Sequence, residues 1–153
     1  AVVTLHRPSN VDDPGVLRGL VDVLSKLQRD LPVVFPIHPR TRAALGGNAN
    51  GLRLIDPLGY LDFTKLMAHA RLVLTDSGGI QEETTVLGVP CLTLRHNTER
   101  PATVEEGTNT LVGPDPDRIL AAWKQALKNP KTGRVPQLWD GQAARRIVDQ
   151  LVK

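Results

Sequence analysis

The stretch RLVLTDSGGIQEETTVLG, residues 71–88, joins an apolar run to a helical pattern through two adjacent glycines. Leu72, Val73 and Leu74 read as a strand that stops at Thr75-Asp76-Ser77-Gly78-Gly79, and a helix opens among the glycines. Glycine costs about 1 kcal/mol relative to alanine inside a helix, so a pair at a helix start requires a cause. A ligand that must approach bare backbone is such a cause.

The same strand-to-helix alternation extends outward in both directions. AVVTL (residues 1–5) is an apolar run with no leading turn, which suggests a piece of a longer chain. After the loop HRPSNVDDP, the residues Val16, Leu17, Leu20, Val21, Leu24 and Leu27 fall on one helical face, with Asp12 or Asp13 as cap and Pro14 in the first turn. PVVFPIH is a second strand, PRTRAAL a short helix, GGNANG a turn and LRLI a third strand. DPLGY leads into the helix LDFTKLMAHA, and RLVLT is the fourth strand. VPCLTL and TLVG supply the fifth and sixth strands, and the helices PDRILAAWKQALK and GQAARRIVDQLVK close the chain around NPKTGRVPQLWDG. Strands that alternate with helices and show little period-2 patterning imply a parallel sheet covered on both faces.

Composition narrows the function classes. The 153 residues suit one domain with its own core, and 41% hydrophobic with 23% charged residues is ordinary for a globular chain. A net charge of +3 hints at an anionic partner, whereas 3% aromatics offers few stacking platforms for nucleic acid, so none is expected. No apolar segment reaches the roughly 18 residues of a membrane span and no signal-peptide layout opens the chain, so no membrane partner and a cytoplasmic location are expected. Cys91, the single cysteine, lies in an apolar run and reads as a small buried hydrophobe. His96 and Glu99 are too sparse for a zinc site, so no metal is expected.

Parallel α/β sheets hold ligands at the carboxyl ends of their strands. Those ends carry His6-Arg7, then His38-Pro39-Arg40-Thr41-Arg42, then Asp76-Ser77-Gly78-Gly79, then Arg95-His96 with Arg100 nearby. Cations and a glycine-lined helix start on one edge point to a phosphate. Plainer readings stand beside this one. Ser77 could be only a helix cap, Glu82 and Glu83 could favour the dipole in a first turn, and the arginines could form a solvated face. Asp76 at a strand end also admits a phospho-receiver reading, against which stands the position of Asp12-Asp13 well beyond the first strand. A pure scaffold leaves the convergence of cations unexplained.

TLHRPSN, FPIHPRTR, the long segment from LIDPLGY through TDSGGIQEE and TERPATVEEGTN to TLVG, and DGQAARRI together resemble the C-terminal half of UDP-N-acetylglucosamine 2-epimerases. The resemblance covers nearly all the chain. It implies a Rossmann-like three-layer α/β domain over residues 1–153, with a parallel sheet of about six strands, forming one half of a two-domain, glycosyltransferase-B-like enzyme. It further implies interconversion of UDP-GlcNAc and UDP-ManNAc for cell-envelope polysaccharide synthesis, by anti elimination of UDP to a 2-acetamidoglucal and re-addition of UDP to the other face. No cofactor is implied, NAD included, because the mechanism is not redox.

Carried over position by position, the resemblance places the diphosphate on Ser77 and Gly79 with Gly78 in the same UDP-binding turn, the ribose hydroxyls on Glu83, an arginine of the nucleotide site at Arg100, and the uracil beside Phe63, with Leu58 of DPLGY near the base. His6 falls near the diphosphate and leaving group. Arg7 and His38 match positions that touch a second, activating UDP-sugar in some bacterial members, although HRPSN and HPRTR depart from the usual continuations. The main acid and base carboxylates belong to an N-terminal domain, which is the expected partner together with UDP-sugar and, for the whole enzyme, a second copy in a homodimer. The last helix is expected to reach toward that domain. A hydrolysing relative, a diacetamido-uronic acid epimerase and another glycosyltransferase-B-like enzyme fit much of the same pattern. Taken alone, the chain is expected to bind nucleotide without epimerising it.

Overall fold

The computed structural model describes residues 1–46 and 49–152. Gly47 and Asn48 of the expected GGNANG turn, and Lys153 of the last helical pattern, lie outside the described residues. The first half of the chain holds β1 (Val2–Thr4), α1 (Pro8–Val11), α2 (Pro14–Leu27), β2 (Val34–Pro36), α3 (Pro39–Ala44), β3 (Arg53–Ile55) and α4 (Tyr60–Ala68). The second half holds β4 (Val73–Thr75), α5 (Gly78–Leu87), β5 (Cys91–Thr93), α6 (Pro101–Glu105), β6 (Asn109–Leu111), α7 (Pro116–Lys128) and α8 (Ala143–Leu151). The strands form a six-stranded sheet in the order β3-β2-β1-β4-β5-β6, parallel at every pairing. The chain therefore winds outward from β1 to β3, returns to β4 and winds the other way. The β1/β4 junction is the switch point at which such sheets open a crevice.

Neighbouring strand residues face opposite sides, which divides the core in two. Val3, Phe35, Leu74 and Leu92 point to the side covered by α2 and α7, where Leu17, Leu20, Leu24, Ile119 and Trp123 complete the larger cluster. Val2 and Val73 point to the other side, against Met67 and Val89, with Phe63 and Ile80 packed onto them. α2 starts where expected: the Asp13 carboxylate accepts from Gly15 N and Val16 N at 2.7 and 3.1 Å, and Pro14 needs no partner. α5 ends at Gly88, whose φ of 70° is the left-handed conformation that glycine adopts without penalty. Cys91 is fully buried, and burial pushes its thiol up to about 12, so it behaves as a small hydrophobe.

α1 and α6 were not expected. Each is brief and opens on a proline, Pro8 or Pro101, directly after an arginine, too short to show an apolar period. β6 lies a residue earlier than the TLVG run, because Asn109 pairs in register with Cys91. The linker between α7 and α8 docks against α6. Arg134 N donates to Glu106 O at 2.8 Å, Lys131 Nζ donates to Asn109 O at 2.7 Å, and Gly133 lies on Gly107 so closely that a methyl group on Gly133 would fall 2.3 Å from the Gly107 carbonyl carbon. α8 buries no residue, and its apolar stripe of Ile147, Val148 and Leu151 is exposed.

Asp76 ties the switch point together. Its carboxylate has no exposed surface and accepts from His6 N and Arg7 N at 3.0–3.2 Å, from Asn10 Nδ2 at 3.1 Å and from the His6 ring, whose Nδ1 lies 3.0 Å away. Asn10 Nδ2 also donates to Leu94 O at 3.0 Å, which brings the end of β5 into the same cluster. Burial alone raises the Asp76 pKa, but the bonds from the His6 ring and from the Arg7 and His6 amides outweigh it and hold the carboxyl below its ordinary value. With no exposed surface and both oxygens engaged, Asp76 presents no oxygen to a phosphoryl donor, which argues against the phospho-receiver reading.

Leu24→Ala is expected to cost about 2–5 kcal/mol, because it opens a cavity between α2 and the sheet, and a urea unfolding curve would show it. Because Asp76 is held low in the folded state, its contribution is complete above the unfolded value of 3.8 and is lost as pH falls through the folded one. Asp76→Asn should therefore destabilise the chain at neutral pH by about 1.5–3 kcal/mol. It should also flatten the acid limb of the stability profile below about pH 4, and an acid limb identical to that of the wild type would contradict this account.

Candidate functional site

Of the expected residues, Ser77, Gly78 and Gly79 form the N-terminus of α5, with Glu83 one turn in and Arg100 paired to Glu82 beside it. Ser77 occupies the cap position, yet its side chain makes no capping bond, and its amide donates instead to Thr75 Oγ1 at 3.0 Å. The capping reading of Ser77 thus finds no bond to support it. A methyl group on Gly79 would meet no atom within 4 Å, and one on Gly78 only Glu99 Oε2 at 4.0 Å. No protein neighbour demands either glycine; they leave backbone bare toward open space. The first amides of any helix lack intrahelical partners, so this end presents donors and the positive end of a dipole.

Two glutamates lie one turn in, and they differ. α5 has no acidic residue in its first turn, so the dipole-complementing reading of Glu82 and Glu83 is set aside. Glu83 Oε2 is buried and has no hydrogen-bond partner. Burial, and then the neighbouring charge of Glu82, raise the Glu83 pKa. A buried acceptor without a donor is costly, and hydroxyl groups of a ligand would satisfy it. Glu82 instead pairs with Arg100, Oε1 to Nε at 2.9 Å, both side chains being a little under half exposed.

The expected patch of free cations is largely neutralised. Arg95 makes a bidentate pair with Glu99 at 2.7 and 2.9 Å and holds that carboxyl down at about 2. Arg40 pairs with Asp12 and Arg42 with Asp56, at 3.0 and 3.1 Å. Arg7 turns its Nε toward Asp76 O at 3.4 Å and lines a hollow of about 570 Å³ with Asn10, Leu94, Arg95 and His96, on the α2 side of the edge. His38 caps α3, Nδ1 accepting from Arg40 N at 3.2 Å, while Arg7 turns to Asp76.

His6 does stand at the switch point. The Asp76 carboxylate accepts from Nδ1, which fixes the tautomer and leaves Nε2 outward on a ring that is 53% exposed. Phe63 packs with Ile80 against the smaller core cluster, so the aromatic ring and the first turn of α5 share one surface. Leu58, partly exposed, borders a shallow apolar hollow of about 360 Å³ with Asp62, Lys65, Leu66 and His69. Among the described residues, no group of three or more His, Cys, Asp and Glu side chains is placed to hold a metal ion, and no helix is long and apolar enough to cross a membrane.

Sequence reasoning missed the residues behind this surface. Asn10 reads as loop and Asp76 as a receiver candidate, yet together they brace His6. Gln81, fully buried, donates to Ser77 O at 3.0 Å and accepts from Thr98 Oγ1 at 2.6 Å and Asn109 Nδ2 at 3.1 Å. The one signal available was the placement of Gln81, Thr84 and Thr85 on the buried side of α5, where apolar residues are usual.

The family model described as UDP-N-acetylglucosamine 2-epimerase matches residues 1–152. A UDP-N-acetylglucosamine 2-epimerase of Methanococcus maripaludis is 39% identical over 97% of this chain and 43% of its own length. A UDP-2,3-diacetamido-2,3-dideoxy-D-glucuronate 2-epimerase of Pseudomonas aeruginosa is 40% identical over 99% of this chain and 44% of its own. The crystal structure of Methanocaldococcus jannaschii UDP-GlcNAc 2-epimerase in complex with UDP-GlcNAc and UDP superposes with a TM-score of 0.87 at 39% identity, over 99% of this chain and 44% of that one. The chain thus spans less than half the length of the relatives it matches. With its parallel sheet, its open α5 terminus and a match to that family model over residues 1–152, the chain belongs to the UDP-N-acetylglucosamine 2-epimerase family.

Proposed function

We propose that the chain is the UDP-binding domain of a two-domain enzyme that interconverts UDP-GlcNAc and UDP-ManNAc. The observation that carries this reading is Glu83 Oε2, a buried acceptor without a donor, one turn inside an open helix N-terminus. In this reading the ribose hydroxyls donate to Glu83, and the diphosphate lies on Ser77, Gly78 and Gly79. Arg100 exchanges Glu82 for a phosphate oxygen, Phe63 and Leu58 border the uracil, and His6 stands by the leaving diphosphate. Family membership and the UDP-GlcNAc and UDP in the related M. jannaschii structure support the assignment.

Elimination breaks the C1–O bond to UDP as a proton leaves C2, and the bonding pair departs with the diphosphate. Charge therefore grows where the α5 amides, Arg100 and His6 would lie, and donors already in place stabilise it most. The base at C2 is assigned to the N-terminal domain, with which exposed α8 would pack, and the whole enzyme is read as a homodimer. Arg7 and His38 are kept as residues of a second UDP-sugar site. A diacetamido-uronic acid substrate is the second reading, favoured by 40% identity to the P. aeruginosa epimerase.

Calorimetry with UDP tests the site. Binding is expected to weaken by about 1–3 kcal/mol in Glu83→Ala and to fall with added salt, because the contacts to the diphosphate are partly screened charge. UDP affinity that ignores Glu83→Ala would refute the placement. Incubated alone with UDP-GlcNAc, the chain should form no UDP-ManNAc, since positioned acids and bases contribute about 10²–10⁴-fold each. Turnover abolished by Glu83→Ala would show that the catalytic groups lie within this chain. Product analysis of the whole enzyme separates epimerisation from hydrolysis.

A further inference from the structure

Gln81, Thr98, Thr103 and Asn109 close a ring of hydrogen bonds around the backbone of Arg100. The Thr98 hydroxyl donates to Gln81 Oε1 at 2.6 Å and accepts from Arg100 N at 3.0 Å. On the other side of the same residue, Arg100 O accepts from the Thr103 hydroxyl at 2.7 Å, and that hydroxyl accepts from Asn109 Nδ2 at 3.0 Å. Asn109 Nδ2 also donates to Gln81 Oε1 at 3.1 Å, which closes the ring. Two anchors hold it: Gln81 Nε2 donates to Ser77 O at 3.0 Å, and Asn109 Oδ1 accepts from the Thr93 hydroxyl at 2.7 Å. Gln81, Thr93, Thr103 and Asn109 are all fully buried.

We propose that this ring is a positioning device that sets the backbone of Arg100 beside the N-terminus of α5, so that the guanidinium need only turn from Glu82 to meet, together with the helix amides, a nucleoside diphosphate. The proposal rests on the nucleotide reading above and adds residues to which that reading gave no role. Each hydroxyl in the ring both donates and accepts, so every member is satisfied, and such networks fix geometry. An apolar plug could hold the loop but could not grip the N–H and C=O of one chosen residue. The gripped residue has a cationic side chain that lies outside the ring, half exposed, and reaches back to Glu82 on α5. Fixing in advance the backbone from which this arginine extends lowers the ordering cost that binding would otherwise meet.

Thr98 is a half-buried loop residue, so Thr98→Val removes the hydroxyl with little change of shape. NMR titrations with UDP and with uridine, together with hydrogen exchange at the Arg100 amide, provide the test. Thr98→Val is expected to lose about tenfold or more in UDP affinity while uridine changes by less than about twofold. Its Arg100 amide should exchange faster, and Thr98→Ser should restore both readouts. Thr103→Val, which acts on the opposite side of Arg100, should reproduce the loss. Equal losses for UDP and uridine would make the ring mere scaffold and overturn the proposal, as would an unchanged UDP-to-uridine ratio in Thr98→Val. A wild-type chain that binds UDP no better than uridine would instead refute the nucleotide reading itself. The ring is then judged on Arg100 exchange alone, and unchanged exchange in Thr98→Val refutes it as well.

Discussion

A carboxylate with no exposed surface, Asp76, is the constraint on which the working edge of this domain depends. A charge removed from water is tolerated only where donors replace the lost hydration, and here they come from the loop after β1, from α1 and from the His6 ring. Because these donors lie about 70 positions from Asp76 in sequence, their bonds link the two halves of the sheet across its switch point. Asn10 carries the link to the end of β5. Every strand is three residues long, so its ladder alone grips little, and the loops at the strand ends must hold one another in place.

The two faces of the sheet divide their duties. The face under α2 and α7 carries the large apolar cluster, with Trp123 and Phe35 fully buried, and supplies most of the hydrophobic stabilisation. The face under α4 and α5 has a small apolar cluster, and much of its interior near β5 and β6 is polar: Gln81, Thr84, Thr85, Thr93, Thr103 and Asn109. Directional bonds replace apolar contact where a helix end must be held at a set distance and angle. Apolar packing tolerates small slides that a hydrogen-bond chain does not.

What could be read from the sequence follows from the range of the interactions concerned. α7 was read at its full observed extent, residues 116–128, because a cap, a first-turn proline and an apolar period are all local. The six strands were legible as apolar runs ended by turn residues, and their alternation with helices implied a parallel sheet, although the strand order came only with the structure. α1 and α6 were not, since a single turn has no period to read. At the site, the glycines after β4 announced an open helix end, and the resemblance in TDSGGIQEE and TERP brought Glu83 and Arg100 forward. The pairing of Arg95 with Glu99 and of Arg100 with Glu82 was hidden: a list of cations at strand ends does not say which are already neutralised. Gln81 was hidden for a related reason, since two of its three partners lie 17 and 28 positions away.

The contact of Gly133 with Gly107 constrains how this sequence can change. A β-carbon on Gly133 would lie 2.3–2.7 Å from backbone atoms of Glu106 and Gly107, and one on Gly107 would lie 2.5–2.7 Å from Thr85 and from Thr103 O. Neither collision is with the free end of a flexible side chain alone, so backbone would have to move. No single replacement at either position can be accommodated in place, and replacing both together compounds the collision. The pair is a locked step in the mutational landscape: substitutions can accumulate around it in the linker, at Lys131 or Arg134, while the crossing point stays glycine on glycine.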